Sequence, residues 1–153
     1  MSKQYSFIKK NYIIFLTAII ILLSDQLTKF LIRKNFQLNQ SIALITNFLH
    51  LTYVTNTGSA FGLFKNNNII FIIISLIVII AILASIKRIK ENQKLLKFCA
   101  GLLLGGTVGN LIDRLFYGYV TDFIDFRVWP FFNVADSAIT VGIILLIILL
   151  WEK

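Results

Sequence analysis

Two aspartates stand beside long apolar runs in the C-terminal third of the sequence. Asp122 lies in GYVTDFIDFRVW, and Asp136 follows fourteen residues later in FFNVADSAIT, where an apolar run begins. A carboxylate near a bilayer is costly, so its presence indicates a function. Two carboxylates that meet at a low-dielectric boundary hold one proton between them, because repulsion raises one pKa and leaves the other low. The ionised acid can then activate a water while the protonated acid polarises a peptide carbonyl.

Other catalytic residue types are scarce. The sequence has one cysteine, Cys99, and one histidine, His50. A zinc site needs several such ligands, and a serine or cysteine nucleophile needs an adjacent base. We therefore expect no metal and no cofactor, and we interpret Cys99 as a small apolar packing residue.

Asp136 belongs to a polar stripe at the start of the last apolar run. Three- and four-residue spacings place the stripe on one face of a helix, and its members are Asn133, Asp136, Ser137 and Thr140. A second interpretation is that Asn133 or Asp136 caps the helix, at a position where the helix dipole favours a carboxylate. Capping and catalysis are compatible, so both interpretations stay open.

A second polar group ends the third apolar run. Asn110 and Arg114 are i,i+4 neighbours, whereas Asp113 and Arg114 are adjacent and do not face each other. A simple ion pair between Asp113 and Arg114 is therefore not expected. Arg114 needs a partner from elsewhere in the chain or an anionic ligand such as a lipid headgroup.

The remaining charged residues near these runs have structural interpretations. Asp25 and Lys29 are spaced i,i+4, which predicts an ion pair on the helix surface near the membrane interface. Asp125, three residues after Asp122, is predicted to be a solvated loop acid.

The elements that must position these residues are membrane spans. The chain has 153 residues, of which 58% are hydrophobic, and its mean hydropathy is +0.82. A helix needs roughly 20 apolar residues to cross a bilayer core, and four blocks approach that length, at about 12–32, 69–86, 98–117 and 134–151. We expect one membrane-embedded domain over residues 1–153, with the first span uncleaved because no A-x-A-like site follows it.

The charges predict the orientation of the spans. We place both termini and the polar loop 87–97 on one side of the membrane. That side then has nine cations and two acids, a net charge of about +7, and the other side has six cations and five acids, a net charge of about +1. The two add to the formal net charge of +8. The more basic side is cytoplasmic, which puts Asp122 and Asp136 at the outer face. The cations flank the spans and form no aromatic-interleaved patch, so nucleic acid is not expected as a partner.

Two further patterns predict local structure. FLHLTYVTN alternates with a period of two, which predicts a strand, and the following Gly58 and Gly62 permit a turn. A small sheet on the outer surface is the expected result. Gly101, Gly105 and Gly109 form a stripe of small residues that lets another helix approach closely.

Five segments, in this order, resemble the lipoprotein signal peptidases, the type II signal peptidases of bacteria. They are DQLTK at 25–29, NTGSAF at 56–61, GGTVGNLIDR at 105–114, VTDF at 120–123 and FNVADS at 132–137. The resemblance covers nearly the whole chain. It implies an all-α integral membrane protein with four transmembrane helices and a small β-cradle on the outer membrane surface.

The resemblance also implies an activity and its residues. It implies an aspartic endopeptidase of the bacterial inner membrane that removes the signal peptide from diacylglyceryl-modified prolipoproteins, cleaving before the lipidated Cys. Asp122 and Asp136 match the catalytic dyad. Substrate-binding or supporting positions are Asn56, Gly58, Asn110, Arg114 and Asn133, and structural positions are Asp25, Lys29 and Asp113. The expected partners are the prolipoprotein and membrane lipids, and we expect a monomer.

Two other functions would also use membrane acids or spans. A proton-coupled transporter would place its carboxylates near the midplane, often within repeats, whereas here the acids cluster at one interface and no repeat is visible. A non-catalytic assembly factor would account for the spans and the glycine stripe but not for two convergent acids. Cleavage of a lipidated peptide by the pure protein separates both from a peptidase.

Overall fold

The computed structural model describes residues 3–58 and 67–151. Its helices are α1 (Lys3–Lys10), α2 (Tyr12–Asn35), α3 (Asn68–Ser85), α4 (Lys94–Tyr117) and α5 (Val134–Trp151), and a short 3-10 turn, Ile86–Arg88, follows α3. Its strands are β1 (Ser41–Ile45), β2 (Leu49–Asn56) and β3 (Val120–Asp125). The motif residues at 59–61, the expected turn at Gly62, and the charges of Lys65, Glu152 and Lys153 lie outside the described residues.

Helices α2, α3, α4 and α5 are long and apolar enough to cross a membrane, judged by length and composition. Together with the small sheet they confirm the predicted fold class. The predicted loop at 87–97 is only partly correct, because Ile86–Arg88 form a 3-10 turn and α4 already begins at Lys94. Lys97 is buried in the first turns of α4, and its ammonium donates a hydrogen bond of 2.6 Å to the carbonyl of Lys10.

Helix α4 is the centre of the bundle. It packs against α2, α3 and α5. In its apolar 18-residue stretch 67% is buried, whereas the corresponding stretches of α2, α3 and α5 are 17%, 11% and 17% buried. The other three helices turn most of their large apolar side chains outward, as expected for surfaces that contact lipid rather than water. The residues that can do chemistry are therefore gathered where α4 meets its neighbours.

The glycines of α4 set how closely its neighbours approach, as the stripe predicted. A Cβ added at Gly101 would lie 2.6 Å from Thr17 Cβ, and one at Gly105 would lie 2.6 Å from the carbonyl oxygen of Ala18. On another side of α4, a Cβ at Gly106 would lie 2.6 Å from the carbonyl oxygen of Ala135. Close approach of this kind lets helices gain van der Waals contact where lipid supplies no hydrophobic driving force.

The three strands form one antiparallel sheet in the order β1-β2-β3. The predicted strand over FLHLTYVTN is confirmed as β2, which is the central strand. Strand β3 pairs with it so that Asp122 lies opposite Val54, and the register shifts between Leu51 and Val54. A cluster of Ile32, Tyr53 and Phe123 joins the sheet to the end of α2, so Asp122 sits on a strand that is fixed to the bundle.

We predict that Gly105→Ala destabilises the protein. The added methyl group would meet the backbone of Ala18, at 2.6 Å from O and 2.9 Å from Cα, and overpacking of this kind costs about 1–3 kcal/mol. Gly142→Ala is the matched control, because its methyl group would meet the flexible side chain of Leu103 at 3.1 Å. Thermal unfolding in one detergent measures both, and equal melting temperatures for the two variants would contradict the assigned role of the α2–α4 contact.

Candidate active site

Asp122 is held by two amides. Its side chain lies on β3 and is buried, with 1% exposure of the residue. Oδ1 accepts a hydrogen bond of 2.7 Å from Asn133 Nδ2, and Oδ2 accepts one of 2.9 Å from Asn56 Nδ2. The amide of Asn56 is itself oriented, because its Oδ1 accepts a hydrogen bond from the backbone N–H of Gly58 at 2.9 Å. Both oxygens of the carboxylate therefore have a fixed direction.

Asp136 lies in the first turn of α5, where it completes a reciprocal cap. Asn133 is the N-cap: its carbonyl accepts from the N–H of Ser137 at 3.1 Å, and its Oδ1 accepts from the N–H of Asp136 at 2.9 Å. In return, Oδ2 of Asp136 accepts from the N–H of Asn133 at 3.3 Å. Its other oxygen, Oδ1, accepts a hydrogen bond of 2.7 Å from Asn110 Nδ2. The capping interpretation is correct for both residues, and it leaves Asp136 within the polar network.

Asn110 and Asn133 join the two acids. Asn133 Nδ2 donates to Asp122 and also lies 3.2 Å from Asn110 Oδ1, while Asn110 Nδ2 donates to Asp136. A continuous path of hydrogen bonds therefore connects the carboxylates of Asp122 and Asp136 through two amides. The structure brings together the two acids, although they come from a strand and from a helix N-terminus.

The electrostatics of this network favour a shared proton. Burial, and after it the negative charge of Asp136, raise the pKa of the Asp122 carboxyl to about 7 from an ordinary value of 3.8. The hydrogen bonds from Asn56 and Asn133 oppose this shift without cancelling it. A pKa of about 7 keeps the Asp122 carboxyl largely protonated only below neutral pH, and two acids coupled in this way titrate as a pair.

Lys29 joins the network through Asn110. The predicted ion pair of Lys29 with Asp25 is present, but its predicted location on the helix surface is wrong. The side chains of Lys29 and Asp25 have 0% exposure and their charged atoms are 2.8 Å apart. Lys29 Nζ also lies 3.4 Å from Asp113 Oδ2 and donates 2.9 Å to Asn110 Oδ1. The i,i+4 spacing identifies the pair but not the face that carries it, and a polar face on an apolar helix turns inward because hydrocarbon cannot solvate it.

Asp25 also reaches the helix that carries Asp136. Its Oδ1 accepts a hydrogen bond of 2.9 Å from the N–H of Ala135, in the first turn of α5. A Cβ at Gly109 would lie 2.6 Å from Asp25 Oδ2, so the glycine makes room for the carboxylate. Asp25 thus fixes the start of α5 against α2 and α4.

Asp113 supports the strand that carries Asp122. Its Oδ2 accepts from the N–H of Thr121 at 2.9 Å, and Arg33 Nη1 lies 3.5 Å from its Oδ1. Arg33 also donates a hydrogen bond of 3.0 Å to Thr121 Oγ1. Among the described residues Asp113 pairs with Lys29 and Arg33. It does not pair with Arg114 there, and the absence of that pair is what the sequence predicted. The role of Arg33 was missed, although its spacing of four from Lys29 placed it on the same face of α2.

Arg114 has no carboxylate partner among the residues that the structure describes. Its guanidinium lies 5.0 Å from the ring centre of Phe71, and Nη1 donates to the carbonyl of Asn110 at 3.4 Å. Within the same part of the chain, its Nε is buried without a hydrogen-bond partner. Asn68, which the sequence did not single out, donates to the carbonyl of Arg114 at 3.0 Å, and its own Oδ1 likewise has no partner there.

Asp125 is not the solvated loop acid that was predicted. It is the last residue of β3, and its residue exposure is 2%. It accepts hydrogen bonds from Thr52 Oγ1 and from the N–H of Arg127, each at 2.8 Å. Burial raises the pKa of its carboxyl, but the hydrogen bonds from Arg127 and Thr52 outweigh burial, and the pKa lies below its ordinary value. Because Asp125 ends a paired strand and does not lie in a solvated loop, this acid fastens the end of the sheet.

An apolar cavity opens beside Asp136. Its volume is about 600 Å³, and its lining comes from α5 and from the segment between β3 and α5: Phe126, Trp129, Phe131, Phe132, Asp136, Ser137, Ile139, Thr140 and Val141. The polar stripe predicted for α5 thus faces this cavity through three of its members. Among the described residues, no group of three His, Cys, Asp or Glu side chains is arranged to hold a metal ion.

Comparison with known proteins gives one consistent result. The family model for signal peptidase (SPase) II matches residues 17–152. The lipoprotein signal peptidase of Moorella thermoacetica is 50% identical over 131 residues, which are 86% of this chain and 87% of that protein. The one from Desulfitobacterium hafniense is 45% identical over 139 residues, which are 90% and 92% of the two chains.

Two solved structures of bacterial membrane enzymes, determined by the in meso method at 2.3 Å and 1.9 Å resolution, have the same fold. The first superposes with a TM-score of 0.85 at 36% identity, over 90% of this chain and 87% of that one. The second has a TM-score of 0.83 at 36% identity, over 91% and 92% of the two chains.

We predict that Lys29→Met strongly destabilises the fold. Without the ammonium, Asp25 and Asp113 would be buried beside each other with no cation between them, and removing one partner of a buried ion pair costs about 3–5 kcal/mol. Lys34→Met, at an exposed position of the same helix, is the matched control and should unfold like the wild type. Adding Asp25→Asn to Lys29→Met should restore part of the stability, measured by thermal unfolding in detergent. If the double variant is less stable than Lys29→Met, the assigned charge balance is wrong.

Proposed function

This chain belongs to the signal peptidase II family, and on that premise we propose that it is a membrane aspartic endopeptidase acting on prolipoproteins. Its substrate is the diacylglyceryl-modified precursor, and it removes the signal peptide by cleaving before the lipidated Cys. The observation that carries the aspartic mechanism is the hydrogen-bonded path from Asp122 through Asn133 and Asn110 to Asp136. The chain is an integral membrane peptidase by its family and its four apolar helices.

The proposed reaction uses the shared proton of the dyad. The ionised acid takes a proton from a water molecule while the protonated acid donates a hydrogen bond to the scissile carbonyl. Attack by the water oxygen forms the new C–O bond and a tetrahedral intermediate. Proton transfer from the dyad to the departing amine then accompanies breaking of the C–N bond, which releases the signal peptide and the new N-terminus and restores one proton to the pair.

The supporting amides give this reaction a fixed geometry. Asn56 and Asn133 hold Asp122, and Asn110 holds Asp136, so neither acid must rotate during the reaction. Groups oriented before the substrate arrives add catalytic power because they need no reorganisation in the transition state. We assign Asn56, Asn110 and Asn133 this orienting role.

Arg114 and Gly58 flank the dyad as proposed substrate contacts. Among the described residues, Arg114 Nε is a buried donor and Asn68 Oδ1 a buried acceptor, neither of them with a partner. A peptide group presents one acceptor and one donor, and this is the complement of that pair. Gly58, next to Asn56, allows the substrate backbone to approach without a side chain in the way.

The cavity beside Asp136 suits the apolar part of the substrate. Most of its lining is aromatic or aliphatic, and Asp136 is part of that lining. Lipid tails and the apolar core of a signal peptide can therefore remain out of water while the scissile bond lies at the dyad.

The proposed setting follows from the distribution of charge. We place the chain, residues 1–153, as a single membrane-embedded monomer of the bacterial inner membrane, with both termini cytoplasmic and the dyad at the outer leaflet. The end of the bundle that lies away from the sheet carries an excess of lysine and arginine, which favours the cytoplasm. The bond to be cut lies at the membrane surface, as does the site.

Asp122→Asn and Asp136→Asn are each expected to abolish cleavage, because either change removes a group that the mechanism needs in both protonation states. Losses of at least about 100- to 10,000-fold correspond to loss of a general acid or base. The assay uses purified protein in detergent with a diacylglyceryl-modified prolipoprotein, chelator present throughout, and product separated by gel. Asp125→Asn is the matched control on the same strand and should cleave at near the wild-type rate. Cleavage by either dyad variant would reject the dyad assignment.

The rate should also fall as the pH rises above about 7. The pKa of Asp122 is raised to about 7, so the pair keeps its shared proton below that pH and loses it above. With both acids ionised no proton is left to polarise the carbonyl, and the rate should drop about tenfold for each further pH unit. Initial rates between pH 5 and 9 in one detergent test this, and a rate that stays constant up to pH 9 would contradict it.

A further inference from the structure

The end of the bundle away from the dyad carries a basic cavity. It lies between α1, the 3-10 turn and the first turns of α4, and its volume is about 260 Å³. A second recess of about 380 Å³ adjoins it through Lys10 and Glu91, which line both. Among the residues that the structure describes, the two linings contain one acid, Glu91, and the lysines Lys9, Lys10, Lys87, Lys90 and Lys97.

The cavity is built rather than a chance gathering of mobile side chains. Lys97 has 2% exposure, and its Nζ donates to the carbonyl of Lys10 at 2.6 Å. This bond fixes one cation and the last turn of α1 against α4. Asn11, also buried, donates from Nδ2 to the carbonyl of Phe7 at 3.1 Å and holds the break between α1 and α2. Buried polar bonds therefore fix the backbone around the cavity, and Lys10, Lys87 and Lys90 are exposed side chains in its lining.

Its charge is unbalanced. Lys10 pairs with Glu91 at 2.9 Å, whereas Lys9, Lys87 and Lys90 have no carboxylate partner among the described residues. Counted over the described lining residues, five lysines against one glutamate leave a net charge of +4 around the two recesses. Such a concentration of cations calls for an anion with several acceptor oxygens.

The remaining lining indicates what carries that anion. Phe7, Ile86 and Ile89 give the cavity an apolar side, and the membrane-crossing helices α2 and α3 begin and end beside it, at Tyr12 and Ser85. A ligand that fits has an anionic group attached to an apolar body at the level of the membrane surface. Anionic phospholipids have this chemistry, and basic pockets at helix ends bind their headgroups.

We propose that this cavity binds the phosphodiester headgroup of an anionic phospholipid. Lys87 and Lys90 contact the phosphate from the α3–α4 connection, and Lys10 contacts it from the end of α1. The bound lipid joins α1 to that connection at the end of the bundle farthest from the acids. The site is independent of peptide cleavage, so a failure of either proposal leaves the other standing.

The test uses the full-length protein in detergent and two short-chain probes, dihexanoyl phosphatidylglycerol and dihexanoyl phosphatidylcholine. Native mass spectrometry measures the dissociation constant of each. We expect the anionic probe to bind at least about tenfold more tightly than the zwitterionic one. Lys87→Gln/Lys90→Gln should weaken binding of the anionic probe by about thirtyfold, since each lysine near an anionic lipid surface adds about 1 kcal/mol and about 1.4 kcal/mol is a factor of ten.

The matched control is Arg88→Gln/Lys94→Gln. It removes the same charge from exposed positions at the same end, outside the basic cavity, and should change binding less than twofold. Equal weakening by both double variants would overturn the proposal in favour of diffuse attraction. Equal binding of the two probes would also overturn it, and so would full displacement by millimolar inorganic phosphate, which would show a site for the free anion.

Discussion

The buried ammonium of Lys29 is the interaction on which the rest of the site depends. It faces the carboxylates of Asp25 and Asp113, so three charges are taken out of water at once. Desolvation of this size is tolerated only when geometry and further hydrogen bonds satisfy every member. The additional bonds are what assemble the site, because Asp25 accepts from α5, Asp113 accepts from β3, and Lys29 donates to Asn110. Each of the two elements that bear a dyad acid is thus fastened to the same charged centre.

The glycines of α4 allow close helix packing and also make room for the buried charge of Asp25. Gly109 carries no side chain at the point where Asp25 approaches, and Gly106 does the same for the backbone of Ala135. A larger residue at either position would move α2 or α5 outward and lengthen the contacts of Asp25. Burial of apolar groups does not hold helices together in a bilayer. Here the helices are held together by close contact at small residues and by buried polar bonds. The stripe of glycines is therefore a condition for the site as well as for the bundle.

The sequence predicted what periodicity and composition encode. The four apolar blocks predicted the spans, and the alternation of apolar residues predicted strand β2. The glycine stripe predicted the close helix contact, and the ordered motifs predicted the family. Burial of Asp25 and Lys29 could not be predicted, because a spacing of four residues does not say which face of α2 turns to lipid. Asp125 was misread since the end of β3 depends on pairing with β2, a contact more than seventy residues away along the chain. Arg33 and Asn68 were missed because only the fold brings them to their partners, Thr121 and the carbonyl of Arg114. The catalytic roles of Asp122 and Asp136 stay predictions.

The two acids are held by unlike means, and that difference bears on the geometry of the proposed dyad. Asp136 is fixed within a few residues of itself by its exchange of bonds with Asn133, so its position follows whenever α5 forms. Asp122 takes its position from β3 and from amides on two other elements. Asn133 belongs to both arrangements, because it caps the helix with its Oδ1 and holds Asp122 with its Nδ2. Asn133 therefore ties the position of Asp122 to the start of α5, so that the strand and the helix hold the two carboxylates of the proposed dyad in one network.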